Sequence, residues 1–320
     1  SAISARLGML GKNHQRLLAY ASVSGHDFEA QVVGKVLNFD ELELLDYIDD
    51  LSRNYNLLSA GSTMMVNSNM LDHYSFIDQF THRHIYENMD YARRRALHRR
   101  IAEIMQETYG DLITKDRELK NTWLRHRQIG AGILDGISGK VIMPGVKHPG
   151  ETFVKTYMEA AANELDNSRF CQANFAMDEA IGHADKALEF IRYAEDDSTD
   201  YSLLLFLILS GKYMSYDWKG MYTEAEDLAR NMVEVANHMG DAEKQSEALV
   251  RLGRAQHGRG NPVEAQQNYE LALEILGSHG DRFIRARIFN RMGMVADALR
   301  KYDEAISYYL KAAEINNVKD

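Results

Sequence analysis

Cysteine is nearly absent. Cys171 stands alone among 320 residues, which excludes a disulfide framework and fits a reducing, cytoplasmic setting. Proline is almost as scarce: Pro144, Pro149 and Pro262 leave little to interrupt helices, so a mainly α chain is expected. Positive charge is in deficit, with 37 Lys+Arg against 47 Asp+Glu and a net charge of -10. Phosphate binding needs a basic face, so nucleic acid is not expected as a partner. The longest apolar run, Leu203 to Leu209, falls far short of the ~20 residues that cross a bilayer, and no membrane association is expected. The opening SAISARLGML has no basic region ahead of an apolar core, so it is not read as a signal peptide. It begins in mid-pattern, and the chain stops after a helix without an obvious cap. The sequence therefore reads as a segment of something longer, with two domains or one domain plus a repeat array.

Repetition is what the chain does have. Windows align at a spacing of 40: Tyr213 with Ala225 and Ala229, Gly253 with Ala265, Tyr269 and Ala272, and Gly293 with Ala305, Tyr309 and Ala312. In the last two, a small residue is followed by Ala at 12, Tyr at 16 and Ala at 19 positions. That spacing predicts helix–turn–helix units. Gly and Ala let two helices approach closely, and Tyr fills the gap between neighbouring units. Asn261 and Pro262 suit a helix start, while Gly and Asp in His238 to Asp241 and Gly277 to Asp281 end one helix and cap the next. A more degenerate pair is expected ahead of these, Phe153 to Leu165 and Phe170 to Tyr193, broken at Leu165 to Arg169. Leu203 to Leu209 is read as a helix buried on nearly all sides of the stack. The units resemble tetratricopeptide repeats lengthened from ~34 to 40 residues. The resemblance implies a concave groove lined by the first helix of each unit.

Upstream, Leu7 to Tyr20, Phe28 to Leu37 and Asp40 to Tyr55 carry helical periodicity, with a turn at Ser22 to Asp27. In the third segment Leu42, Leu45, Ile48, Leu51 and Tyr55 form the apolar face. Asn56 to Ser62 reads as the polar tip of a β-hairpin that returns through Asp72 to Phe76. Three helices and a hairpin predict a winged-helix domain. The stretches Arg16 to Leu37, Glu43 to Leu58 and, most specifically, Tyr74 to Met105 resemble the region that follows the ATPase module in bacterial STAND-type signalling ATPases. This is the group of the maltose-regulon activator and of the ATPases fused to class III nucleotide cyclases. The resemblance runs from about Ala5 to Ile315. It implies a winged helix with following helices over 1–110, a connector and Gly/Pro-containing hinge over 111–150, and a repeat solenoid over 151–320. It also implies a non-catalytic sensor segment, whose partners are a protein or peptide on the repeats and the protein's own ATPase module. No phosphate-loop motif is present; Gly11-Lys12 lacks both the upstream Gly and the following hydroxyl. Relatives place a His, able to sense a nucleotide's β-phosphate, where this chain has Asp78. A carboxylate there would repel the phosphate.

The densest polar cluster is Asp72, His73, Asp78, His82 and His84. Asp78 and His82 share a helix face, but spacing supplies no third ligand, so a polar face is read and neither metal nor cofactor is expected. In the basic run Ala92 to Arg100, the stripe Ala92, Leu97 and Ile101 is expected to be buried, with Arg93, Arg94, Arg95, Arg99 and Arg100 around the rest. Asp78, His82, Arg93, Arg94 and Arg95 are the candidates for docking the ATPase module. The third helix is acidic (Asp40, Glu41, Glu43, Asp46, Asp49, Asp50), which opposes insertion into a DNA groove. Cys171, at the predicted start of a second helix, reads as a packed small residue, and no nucleophile set stands out, so no enzyme is expected. The hinge Gly136 to Gly150 carries Lys140, Lys147 and His148 in no phosphate-loop spacing. The groove candidates are Glu247, Val250, Arg254 and His257 in one unit and Arg287, Asn290, Met294 and Asp297 in the next. This mix suits a peptide backbone and an acidic group. Two other functions stay open: a winged-helix transcriptional regulator with a repeat-based regulatory domain, and a passive peptide-binding scaffold.

Overall fold

The computed structural model describes residues 2–66, 69–143, 151–194, 198–277 and 280–317. The chain divides into two compact units, Ser1–His148 and Pro149–Asp320.

The first unit runs α1 (Ala2–Gly8), α2 (Lys12–Ser24), β1 (Asp27–Glu29), α3 (Ala30–Leu37), α4 (Glu41–Arg53), β2 (Leu58–Val66), β3 (Asn69–Phe76), α5 (Gln79–Glu87), α6 (Tyr91–Tyr109), α7 (Leu112–Lys115) and α8 (Arg117–Ala131). Its aspartates set the helix starts. Asp40, Asp78, Asp90 and Asp116 cap α4, α5, α6 and α8 by accepting backbone N–H bonds, each contributing about 1 kcal/mol. One core gathers Leu17, Leu18, Phe28, Val33, Leu44, Ile48, Leu51 and Phe76. A second lies against α6, with Val32, Leu71, Leu97, Ile101 and Met105.

Several expectations shift here. The segment predicted as one helix over Leu7 to Tyr20 is broken ahead of Gly11. Ser22 to Asp27 is not merely a turn, because β1 follows it and pairs antiparallel with β3 (Phe28 opposite Tyr74) in a sheet of order β1-β3-β2. The supposed hairpin tip, Asn56 to Ser62, lies largely inside β2, and the strands run on to Val66 opposite Asn69. On α4 the buried face is Leu44, Ile48 and Leu51, whereas Leu42 is 73% exposed. On α6, Ala92 is exposed and the buried stripe is Arg94, Leu97, His98 and Ile101. The first half of the supposed flexible hinge is a closed turn. Leu134 bridges Val141, and Asp135 accepts from the backbone of Ile137 and Ser138. Residues 144–150, with Lys147 and His148, lie outside the described residues.

The second unit is α9 (Glu151–Ala173), α10 (Met177–Arg192), α11 (Thr199–Trp218), α12 (Tyr222–Met239), α13 (Ala242–Gly258), α14 (Pro262–Leu276), α15 (Arg282–Ala298) and α16 (Tyr302–Asn317). Consecutive helices pack as antiparallel pairs, and first helices also touch across units, α9 on α11 and α13 on α15. The break expected at Leu165 to Arg169 is helical interior. Ser168 is fully buried and its hydroxyl donates to the Ala180 carbonyl, so it occupies the small-residue position that Gly253 and Gly293 hold later. Cys171 therefore sits in the last turns of α9, not at a helix start, and is buried.

Every pair turns the same way. Phe175, Gly220, Gly260 and Arg300 are left-handed (φ 60, 71, 87 and 60°). The next residue's N–H bonds back to Cys171, Tyr216, Gln256 and Ala296 respectively, which closes the helix end. The strain at Arg300 is thus dictated by the turn. Arg300→Gly is expected to stabilise the unit by about 0.5–1 kcal/mol, since the left-handed penalty of a side chain exceeds the extra freedom glycine has when unfolded. A denaturation midpoint that falls in this variant would show that the side chain itself matters.

Candidate functional site

The inner faces of α11, α13 and α15 enclose a cavity of about 210 Å³ lined by Tyr213, Met214, Asp217, Glu247, Val250, Arg251, Arg254, Ile284, Arg287 and Arg291. Four arginines meet two carboxylates in this lining. Arg251 is committed: it pairs with Glu247 at 2.6 Å, donates to Ser210 and lies over the Tyr213 ring. Burial pushes the Glu247 carboxyl up, but Arg251 and Lys244 outweigh it and hold it ionised, below its ordinary range. Arg254 approaches Asp217 at 3.3 Å without hydrogen-bond geometry, so the buried Nε of one and Oδ1 of the other lack a hydrogen-bond partner. Arg287 and Arg291, four residues apart on one face of α15, have no ion-pair partner among the described residues; Arg291 donates to the Met294 sulfur. His257 stands close by, kept neutral by burial and by the positive charges of Arg254 and Arg291. Tyr213, its hydroxyl donating to the Arg251 carbonyl, forms an apolar wall with Val250 and Ile284. A planar anion attached to an apolar body suits this arrangement, because guanidinium groups bind carboxylate or phosphate in a two-point fork.

Of the groove residues read from sequence, Glu247, Val250, Arg254 and Arg287 line this cavity and His257 adjoins it. Asn290, Met294 and Asp297 are exposed on α15 but do not line it. Translation by 40 residues misplaces them because the cavity crosses the helices obliquely. It uses the end of α11, the middle of α13 and the start of α15. Arg251 and Arg291, missed from sequence, lie one turn after Glu247 and Arg287 and were legible from i,i+4 spacing. Tyr213 was read only as a repeat position, and Met214 and Asp217 were not singled out, because the reading of this helix stopped at Leu209.

The docking candidates of the first unit scatter. Asp78 caps α5 through the Thr81 N–H and hydroxyl. His82 bonds the Ser22 carbonyl instead of Asp78, and burial lowers its pKa. Arg93 is exposed beside Tyr20 and Arg95 lies over Tyr91. Arg94 cannot serve a docking face: it is 9% exposed, bonded to the Tyr86 carbonyl and stacked on that ring. Asp72 is held by Thr63 and Gln31, and His84 faces Ser4 and Asn88.

The sequence reading also passed over a buried pair. His98 Nδ1 meets His126 Nδ1 at 2.7 Å, and His98 Nε2 meets the Tyr86 hydroxyl at 2.8 Å. Burial, then the neighbouring His126, Arg125 and Arg94, drives the His98 pKa far down. Burial followed by Arg125 lowers His126. Both rings are neutral at pH 7, so each carries one donor and one acceptor.

The family described as tetratricopeptide repeat (TPR_8) matches residues 286–318. The match falls on α15 and α16, the last helix pair of the second unit. No curated protein matches the sequence. Among solved structures, apo RapI aligns at 14% identity over 64% of this chain and 66% of its own, with a TM-score of 0.46. The nearly identical TPR-like repeats of a kinesin light chain homologue from Podosopora anserina align at 17% identity over 71% and 96%, TM-score 0.45. A STAND protein with a tetratricopeptide repeat sensor, PH0952 from Pyrococcus horikoshii, aligns at 15% identity over 97% of this chain and 51% of its own, TM-score 0.41. The chain therefore spans about half of PH0952. Among the described residues no helix is long and apolar enough to cross a membrane.

Proposed function

We propose that this chain is the sensor and protein-interaction segment of a STAND-type signalling ATPase, binding an acidic partner in the repeat groove and relaying its presence to an ATPase module. The observation that carries the reading is the cavity across α11, α13 and α15, where Asp217 and Glu247 pair with Arg254 and Arg251 while Arg287 and Arg291 have no ion-pair partner among the described residues. An acidic side chain or a terminal carboxylate would complete those arginines. For the first unit, the order α2-β1-α3-α4-β2-β3, with β1 added at the edge of the β2–β3 hairpin, supports a winged helix over 1–110 followed by a connector to 150. The acidic α4 argues against a DNA-reading role for it. Sensing then has the logic of a two-state arrangement whose equilibrium the bound partner biases.

The test uses peptides rich in Asp and Glu, with free or amidated C-termini, titrated by fluorescence anisotropy at two salt concentrations. Binding is expected to weaken with salt and to fall at least about tenfold in Arg287→Glu with Arg291→Glu, since two attractive charges become repulsive. Equal binding by the variant would remove the groove from the proposal. Hydrogen exchange supplies the second arm. Protection in the first unit that is unchanged by a bound peptide would favour the passive scaffold over the relay.

A further inference from the structure

A second and larger cavity, about 570 Å³, lies wholly within the first unit, between the small sheet and the helices α6, α7 and α8. Its volume falls in the range of sites that enclose small organic molecules. Val32, Met64, Val66, Ile101, Met105 and Leu119 make its walls apolar. Its permanently charged lining is of one sign, and two imidazoles, His73 and His126, lie among these groups. Asp27, Glu29, Asp116 and Glu118 contribute four carboxylates, and no lysine or arginine lines it. One further group points to an occupant. His126 is only 5% exposed and its Nδ1 is taken by His98, which leaves Nε2 as the polar atom the ring presents to this cavity, without a hydrogen-bond partner among the described residues.

We infer that this cavity binds a small primary amine with an apolar body, whose ammonium group donates to His126 Nε2 and is neutralised by the surrounding carboxylates. The carboxylates supply charge complementarity, and the walls supply burial for the hydrocarbon.

The hydrogen bonds behind His126 make the site more than a receptacle. Tyr86, His98 and His126 form a chain of three, and two neutral arrangements satisfy it. In one, the Tyr86 hydroxyl donates to His98 Nε2, His98 Nδ1–H donates to His126 Nδ1, and His126 keeps its proton on Nε2, facing the cavity. In the other, His126 Nδ1–H donates to His98 Nδ1, His98 Nε2–H donates to the Tyr86 oxygen, and His126 Nε2 is an acceptor. Each ring holds one proton in both, so charge is conserved. An ammonium donor selects the second arrangement and thereby sets the tautomer of His98 and the orientation of the Tyr86 hydroxyl. Gly136 guards the far end: a Cβ there would stand 2.0 Å from the Tyr86 hydroxyl oxygen.

The experiment titrates the whole chain with hexylamine, phenethylamine and spermidine and with the matched alcohols hexanol and phenylethanol. Affinity is read by calorimetry and the imidazole tautomers by long-range ¹H–¹⁵N NMR. Amines are expected to bind, to move the His126 proton to Nδ1 and that of His98 to Nε2, and to lose at least about tenfold in affinity in Asp27→Asn with Glu118→Gln. Asp27 and Glu118 are both exposed, so their replacement leaves the core intact. The alcohols are expected to bind weakly and equally to both proteins. Amines that bind no better than their alcohols, or that leave the tautomers unchanged, would overturn the inference. So would binding by none of the five compounds, even if a lysine-rich peptide bound instead.

Discussion

Acidification from pH 7 to 4.5 is expected to unfold the first unit well before the second. His98 and His126 are kept neutral in the fold, His126 down to about 4 and His98 further, chiefly by burial. In the unfolded chain both titrate near their ordinary value of ~6.5. Because the folded pKa values are depressed, the unfolded state binds more protons as pH drops below ~6.5, and stability is lost from there downward. The slope is about 1.4 kcal/mol per pH unit for each ring, so the pair accounts for a fall on the order of 5 kcal/mol over two units. His82, also lowered by burial, acts in the same direction. The depressed carboxylates Asp27, Asp72 and Asp78 contribute in a separate window, because their stabilisation is lost only as pH falls below ~4. The chain holds two tryptophans, Trp123 in the first unit and Trp218 in the second. Urea denaturation of a Trp218→Phe variant, followed by Trp123 fluorescence at pH 7, 5.5 and 4.5, isolates the first unit. His98→Gln with His126→Gln should flatten its pH dependence. A profile that stays steep in that double variant would place the acid sensitivity elsewhere.

Tyr269→Ala is expected to cost about 3–5 kcal/mol, and Tyr309→Ala, at the same position of the next repeat, about 1 kcal/mol or less. The sequence treats the two as equals, yet Tyr269 is fully buried between α13, α14 and the next unit, whereas Tyr309 is 39% exposed. The glycines opposite them should diverge likewise. A Cβ on Gly253 meets the Tyr269 ring at 2.6 Å and the Ala265 carbonyl at 3.0 Å, neither of which can retreat. Gly253→Ala should therefore destabilise by about 1–3 kcal/mol. The three atoms nearest a Cβ on Gly293 all belong to the Tyr309 ring, the first also at 2.6 Å. That ring has solvent to turn into, so Gly293→Ala should be neutral or gain some of the ~1 kcal/mol by which alanine favours a helix. Calorimetric midpoints of the four single variants decide the matter. Equal losses at the two repeats would mean that exposure does not govern the cost.

The repeat units were legible because close helix packing leaves a chemical trace. Where two helices cross, only Gly, Ala or Ser fits, and the 12- and 19-residue spacings of Gly253, Ala265 and Ala272 record that crossing. The same trace was present from Ser168 to Ala180 and Ala187. It was obscured because Asp166, Asn167 and Ser168 are turn formers by local propensity, and tertiary burial overrides propensity. The turn actually falls at Phe175, whose aromatic side chain gives no hint of a left-handed backbone. β1 escaped notice because three residues are too few for alternation to register, and only pairing with β3 makes them a strand.

Sequence by itself determined the helical class, the capping aspartates Asp241 and Asp281, the helix pairs from Tyr213 onward and four of the cavity-lining residues, Glu247, Val250, Arg254 and Arg287. Each of these depends on neighbours within a turn or on a fixed repeat length, and such information is local. Tertiary structure alone decided that Arg94 and His98 turn inward while Ala92 turns out, that the groove crosses its helices obliquely, and that His126 joins His98 across 28 positions to face a cavity. Those outcomes depend on which surfaces meet. A side chain's charge or polarity does not reveal whether the face that carries it will be covered.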